Sequence, residues 1–235
     1  SRAESSMDGG RVVIDTTAPV DLAKAASFIE VSPKKEFTVE PSDSGFVVSS
    51  LAFRPQDRVK ITVKKGFPAL SGRSLAQEWS RAFIFPDVQP SVRFPGAEDG
   101  VISPEGSLRV PVESVNYDKL RVTVWQVYDN NIPLAARGEY GYPSQRLSRL
   151  VVNKEFLVKG RPNETARRAL DLRPLLEGER GVFCAVVQGV GREWSEARRT
   201  INVTDLGLTL TLGRDAAVAR VLSISSAKPV SGAKV

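Results

Sequence analysis

The sequence predicts an all-β protein: two tandem antiparallel β-sandwiches, followed by the first strands of a third. Three observations carry this. The dominant hydrophobic period is two rather than 3.6, the period of a strand with one buried face. Turn chemistry separates the alternating runs at short intervals: Ser32-Pro-Lys-Lys, Pro41-Ser-Asp-Ser-Gly, Arg54-Pro-Gln-Asp and Ser71-Gly-Arg. The chain has 235 residues, 41% of them hydrophobic. That is too long for one small β-domain and suits two of about 100 residues each.

In the first series, Arg11-Val-Val-Ile-Asp is a short strand. Ser27-Phe-Ile-Glu-Val-Ser and Glu36-Phe-Thr-Val-Glu follow. Gly45-Phe-Val-Val-Ser-Ser-Leu-Ala-Phe, Arg58-Val-Lys-Ile-Thr-Val-Lys and Trp79-Ser-Arg-Ala-Phe-Ile-Phe complete it. Only Val20 to Ala26 and Leu75 to Glu78 have room for a turn or two of helix. Six or seven strands between Arg11 and Phe85 make one sandwich. Pro86-Asp-Val-Gln-Pro marks the boundary, because paired prolines break regular structure. The first domain is therefore placed at residues 1–88.

The second domain, residues 89–203, opens with Ser91-Val-Arg-Phe and Ser107-Leu-Arg-Val-Pro-Val-Glu. The clearest strand is Asp118-Lys-Leu-Arg-Val-Thr-Val-Trp-Gln-Val-Tyr. Its Leu120, Val122, Val124 and Gln126 share one face, and Arg121, Thr123, Trp125 and Val127 the other. Asp129-Asn-Asn-Ile-Pro ends it. Asn130 to Tyr142 has no period and reads as a long loop with a helical turn, a candidate for an interface. Leu150-Val-Val-Asn-Lys-Glu-Phe-Leu-Val and Arg168-Ala-Leu-Asp-Leu are further strands. Gly181-Val-Phe-Cys-Ala-Val-Val-Gln is nearly all apolar, the pattern of a central strand buried on both faces. Arg198-Arg-Thr-Ile-Asn-Val closes a set of about seven strands.

Residues 204–235 alternate again, as Leu206-Gly-Leu-Thr-Leu-Thr-Leu and Val218-Ala-Arg-Val-Leu-Ser-Ile. After Pro229-Val-Ser-Gly a third run begins near Ala233. Two or three strands with one apolar face are not a stable fold by themselves. This segment is expected to dock on the second domain, to pair with another chain, or to open a further domain.

The residue inventory removes most catalytic chemistry. There is no histidine, which excludes Ser-His-Asp and Cys-His arrangements and His-ligated zinc. The single Cys184 excludes Cys-rich metal sites and any intrachain disulfide, and among Val182-Phe-Cys-Ala-Val-Val it reads as a buried, inert thiol. Gly189-Val-Gly191 lacks the third glycine and the helix of a dinucleotide loop and reads as a hairpin turn. Glu40 with Asp43, and Glu98 with Asp99, are turn acids. Asp129-Asn130-Asn131 resembles the start of a calcium loop without its glycine and closing glutamate. Asn163-Glu-Thr and Asn202-Val-Thr fit a glycosylation pattern that matters only in a eukaryotic secretory protein. No residue is assigned to catalysis, to a cofactor or to a metal.

The net charge is +6, spread as the pairs Lys34-Lys35, Lys64-Lys65, Arg167-Arg168 and Arg198-Arg199 with acids between them. Nucleic-acid binding needs clustered charge, so no nucleic-acid partner is expected. No segment approaches the roughly 18 apolar residues of a membrane span. Trp79, Trp125 and Trp194 with Tyr140 and Tyr142 are candidates for a sugar-binding platform, set against ordinary core and edge packing. An exposed aromatic cluster is what the second reading requires: a cell-surface or periplasmic Ig-like binding or adhesion module.

Several of these stretches together resemble one family. Ser91-Val-Arg-Phe, Leu108-Arg-Val-Pro-Val-Glu-Ser-Val-Asn and Lys119-Leu-Arg-Val-Thr-Val-Trp-Gln-Val-Tyr-Asp-Asn-Asn look like a macroglobulin-type domain of the bacterial alpha-2-macroglobulins. Val203-Thr-Asp-Leu-Gly-Leu and Leu222-Ser-Ile-Ser-Ser-Ala-Lys-Pro-Val-Ser-Gly-Ala-Lys-Val are similar to the opening of the next such domain. Pro19-Val-Asp, Phe28-Ile-Glu-Val-Ser-Pro and Leu70-Ser-Gly-Arg-Ser-Leu resemble the bacterial Ig-like module that precedes it. The resemblance implies a large periplasmic protease trap with a protease-cleaved bait segment and, in many members, a Cys–Gln thioester. It also implies proteases and neighbouring macroglobulin domains as partners, and membrane attachment only through a lipid anchor outside this chain. No Cys-x-x-Gln occurs here, since Cys184 is followed by Ala-Val-Val, so neither activity maps onto a residue of this chain. These domains are expected to be non-catalytic scaffold.

Overall fold

Alternation sorts the side chains of nearly every strand into a core face and a solvent face, and the sheets follow from that sorting. The computed structural model describes residues 1–96, 99–136, 143–176, 178–191 and 195–233. The chain divides into two units, Ser1–Gln89 with Arg161–Glu164, and Pro90–Gly160 with Thr165–Val235.

The first unit holds β1 (Arg2–Ser6), β2 (Gly9–Asp15), a short helix α1 (Leu22–Ala25), β3 (Ile29–Ser32), β4 (Thr38–Ser42), β5 (Gly45–Ser50), β6 (Arg58–Val63) and β7 (Trp79–Ile84). One sheet runs β1-β2-β5-β4 and the other β3-β6-β7, with antiparallel pairing throughout. Val12, Ile14, Phe46 and Val48 from the first meet Ile29, Val31, Val59, Ile61, Val63 and Phe83 from the second. Phe53, Phe67 and Phe85, from the connections, close the ends of this core. Burying such a side chain fully contributes roughly 1.5–3 kcal/mol. Pro41 is tolerated because β4 is an edge strand. Asp21 caps α1 by accepting from Ala23 N at 3.2 Å.

Two features of this unit differ from the sequence reading. β1 is a strand although Arg2-Ala-Glu-Ser-Ser has no apolar alternation. The ladder to β2 and Ala3, packed against the core, hold it, and Glu4, directly opposite Arg11, accepts from Arg2 Nε at 2.6 Å and Arg11 Nε at 2.7 Å. Leu75 to Glu78 is not helical. The stretch is irregular, with bends at Ala76 and Gln77, and Leu75 is tied back to the preceding loop, Leu75 N donating to Phe67 O and Gly66 N to Leu75 O, both at 2.9 Å.

The second unit holds β8 (Ser91–Arg93), β9 (Asp99–Ile102), β10 (Arg109–Val115), β11 (Lys119–Val127), a 3-10 turn at Asp129–Asn131, α2 (Ile132–Ala136), β12 (Ser148–Leu157), β13 (Thr165–Asp171), α3 (Arg173–Leu176), β14 (Gly181–Gly189) and β15 (Glu196–Val203). Its sheets are β13-β10-β8 and β12-β11-β14-β15-β9. Val92, Val110, Val112 and Leu170 pack on Leu120, Val122, Val124, Phe183, Ala185, Val187, Ile201 and Val203. The other face of β14 is buried too. Cys184 and Val186 form a second cluster with Val127, against which Trp125, Ile132 and Leu147 pack. The long loop is thus partly structured, and Ile132 on α2 helps to cover the sheet; 137–142 lie outside the described residues. β9 was not legible in the sequence. It is short and pairs in parallel with β15, Asp99 opposite Thr200 through Ile102 opposite Val203. α3 likewise had no signal.

The remaining strands, β16 (Leu206–Leu212) and β17 (Ala217–Ser223), pair with each other in an antiparallel hairpin, and Leu222 of β17 also bridges to Pro229. The chain then turns back beside β17, where Val230 N donates to Val221 O at 3.0 Å.

Candidate functional site

The residues singled out for chemistry are mostly absorbed by packing. Cys184 is buried, and burial pushes its thiol up to about 11. At neutral pH it is protonated and a poor nucleophile. Gly189 ends β14, and the turn beyond it joins β14 to β15. Asp129–Asn131 forms a 3-10 turn in which Asn131 donates to Leu147 O at 3.2 Å. Glu40 lies in β4 and Asp43 at the turn that follows. Glu98 lies outside the described residues. Among the described residues, no group of three or more His, Cys, Asp or Glu converges as a metal site.

The glycosylation-type asparagines are engaged in structure. Asn163 accepts from Val88 N at 2.8 Å and donates to Asp87 Oδ1 at 2.9 Å, and Asn202 is a half-buried residue of β15. Trp79 packs against the core of its unit and Trp125 against the second cluster of the other. Trp194, Tyr140 and Tyr142 lie outside the described residues, so the aromatic platform is not assembled from the tryptophans that are described.

Several carboxylates are tied to cations. Glu113 is buried on β10 between Arg93 and Arg167, which lie opposite it on β8 and β13. Arg93 Nε donates to Oε2 at 2.7 Å and Arg167 Nε to Oε1 at 2.8 Å. The Arg93 hydrogen bond is the main cause holding this carboxyl below its usual range, and Arg167 adds to it. An open cleft of about 720 Å³ in the first unit is lined by Glu4, Arg11, Phe37, Thr38, Ser49 and Leu51, among others. Its Glu4 is held low by hydrogen bonds from Arg2 and then Arg11, which makes it a weak base. The cleft serines Ser5, Ser6 and Ser50 donate to the backbone oxygens of Pro86, Gly9 and Glu36.

One surface lacks a structural partner. β16 places Leu206, Leu208, Leu210 and Leu212 on a single face, because they are two apart. The register puts Val221, Ala219 and Ala217 beside the last three. Thr209 lies opposite Arg220 on the other face. The leucines are 53%, 59%, 56% and 74% exposed, and none of residues 204–233 is buried. The hairpin is closed at its base by Asp205, which accepts from Ile224 N at 2.7 Å and, through its side chain, from Ser225 N at 2.8 Å. Of the three expectations for this segment, docking on its own unit finds no support among the described residues, where none of 204–233 is buried. The face is apolar except for Ser223, which lies beside Leu206.

The fold has solved counterparts. Escherichia coli alpha-2-macroglobulin spanning domains MG0-NIE-MG1 is similar over 94% of this chain and 76% of that one, at 20% identity and a TM-score of 0.53. A mutant of Salmonella alpha-2-macroglobulin is similar over 92% of this chain, at 19% identity and a TM-score of 0.64. Native E. coli alpha-2-macroglobulin is similar over 94%, at 18% identity and a TM-score of 0.53. The chain spans only 14% and 15% of the latter two proteins. The expected all-β fold, and the resemblance to bacterial alpha-2-macroglobulins, are borne out at the level of fold. No protein-family model matches the chain, and no curated protein matches it in sequence.

Proposed function

We propose that this chain is a non-catalytic scaffold section of a larger protease inhibitor of the bacterial alpha-2-macroglobulin kind, which acts by bait cleavage and trapping. The observation that carries the reading is the β16–β17 hairpin. It is an ordered, amphipathic ribbon whose leucine face is uncovered in its own unit, as the opening strands of a further sandwich are. Under this reading residues 1–88 and 89–203 are complete sandwiches, and 204–235 begin the next. The fold shared with the E. coli and Salmonella proteins supports it. The connection between the first two sandwiches, Pro86-Asp-Val-Gln-Pro90, is short and rich in proline, which suits scaffold domains with restricted linkers. The proposal places the parent in the periplasm, with proteases and neighbouring macroglobulin domains as partners.

The test incubates the natural full-length product with a protease and assays small-peptide and large-protein substrates side by side. Trapping predicts that hydrolysis of the small peptide persists while hydrolysis of the large protein falls. Equal, undiminished hydrolysis of both would contradict it.

A further inference from the structure

Period-two alternation sorts charge as well as hydrophobicity. In Arg58-Val-Lys-Ile-Thr-Val-Lys, Val59, Ile61 and Val63 enter the core of the first unit, so Arg58, Lys60 and Thr62 point outward, and Lys64 continues the row. On the flanking strands Ser32 lies beside Lys60 and Glu30 beside Thr62, while Ile84, Ala82 and Ser80 lie beside Arg58, Lys60 and Thr62. Glu30 is the single acid among these outward positions, and Lys64 Nζ holds it at 2.5 Å. Arg58 and Lys60 are exposed, with no acid opposite either in register. With Glu30 bonded by Lys64, Arg58 and Lys60 are the cations of the strands' outward positions that have no acid opposite them, while Glu78, just before β7, continues the row at the Lys64 end. The outward face of the other sheet differs, because its Glu4 is bonded by Arg2 and Arg11.

We propose that the outward face of the β3-β6-β7 sheet docks an extended acidic polypeptide segment. Arg58 and Lys60 are two residues apart, about 6.6 Å along the strand, the repeat of carboxylates at alternate positions of an extended peptide. A guanidinium takes a carboxylate bidentately. Ser32, Thr62 and Ser80 add hydroxyl donors between the cations. The face carries no aromatic ring on which a nucleobase could stack, since Trp79 is turned to the core. It carries one large exposed aliphatic, Ile84, which is too little for insertion into a bilayer.

The test is fluorescence anisotropy of the whole chain with a labelled decapeptide of alternating Glu and Thr, and with its Gln-for-Glu counterpart. The Glu peptide should bind and the Gln peptide should not. The double variant Arg58→Glu/Lys60→Glu should weaken binding at least tenfold, and raising salt from 50 to 200 mM should weaken it several-fold, as screening requires. Unchanged circular-dichroism melting checks that the variant folds, and Arg58→Gln/Lys60→Gln serves if it does not. No binding of the Glu peptide, or equal binding by wild type and variant, overturns the proposal. So does tighter binding of phosphatidylglycerol vesicles or of a single-stranded oligonucleotide than of the peptide.

Discussion

The ring of Tyr117 fills the space that a side chain at position 189 would need: a Cβ placed on Gly189 would fall 2.0 Å from Tyr117 Cε1. Gly189 lies opposite Leu120 in the five-stranded sheet, so this glycine is required by packing, whereas Gly191 in the following turn has φ +86°. Gly189→Ala is expected to overpack the site and cost about 1–3 kcal/mol in urea unfolding. Because the clash is with one ring, the penalty should shrink in a Tyr117→Ala background. Equal penalties in both backgrounds would contradict the contact.

Glu113 makes stability depend on pH in one direction. Its folded pKa lies below the ordinary value of 4.5, so its contribution is present above that value and lost as pH falls through the folded pKa. Glu113→Gln leaves Arg93 and Arg167 without their counter-charge and should lower Tm at pH 7 by a few degrees. The gap between variant and wild type should close as pH falls below 4. A gap of the same size at pH 7 and pH 3 would count against it.

Lys35 ties two connections of the first unit together. Its ammonium bonds Asp57, donates to Ala52 O at 2.8 Å and sits 5.8 Å from the centre of the Phe53 ring. Asp57 also accepts from Arg54 N at 3.0 Å, and Lys35 followed by that amide holds its carboxyl low. Asp57→Ala should cost about 1–2 kcal/mol, the scale of lost charge-assisted hydrogen bonds. Hydrogen exchange at Arg54 N should accelerate with it. Unchanged exchange would show that the turn is held by something else.

The hairpin contributes little to the stability of the rest of its unit. Its leucines are all more than half exposed, so removing residues 206–235 should change Tm by no more than about 2 °C, within the usual range for changes outside a core. Val122→Ala, in the core, should cost several times more in the same assay. A large Tm loss on deletion would mean that the hairpin docks.

Strands with a one-sided or two-sided apolar pattern were legible in the sequence. β11 and β16 alternate, and β14 is apolar throughout because both of its faces are covered. β1 and β9 were not legible, since one is polar apart from Ala3 and the other is a short parallel edge. The leucine face could be read from spacing alone, but alternation defines a face without saying what covers it. The basic row on β6 was hidden for another reason. Adjacent pairs such as Lys64-Lys65 catch the eye, yet neighbours in a strand point to opposite sides, and residues two apart are the ones that gather.

The central claim is that the leucine face belongs to the interior of a further sandwich. The direct measurement is hydrogen–deuterium exchange of the Leu206–Leu212 amides, in this chain alone and in the natural full-length product. The account predicts fast exchange in the chain alone and protection of at least a hundredfold in the full product, as in a strand packed into a core. Equally fast exchange in both would contradict it.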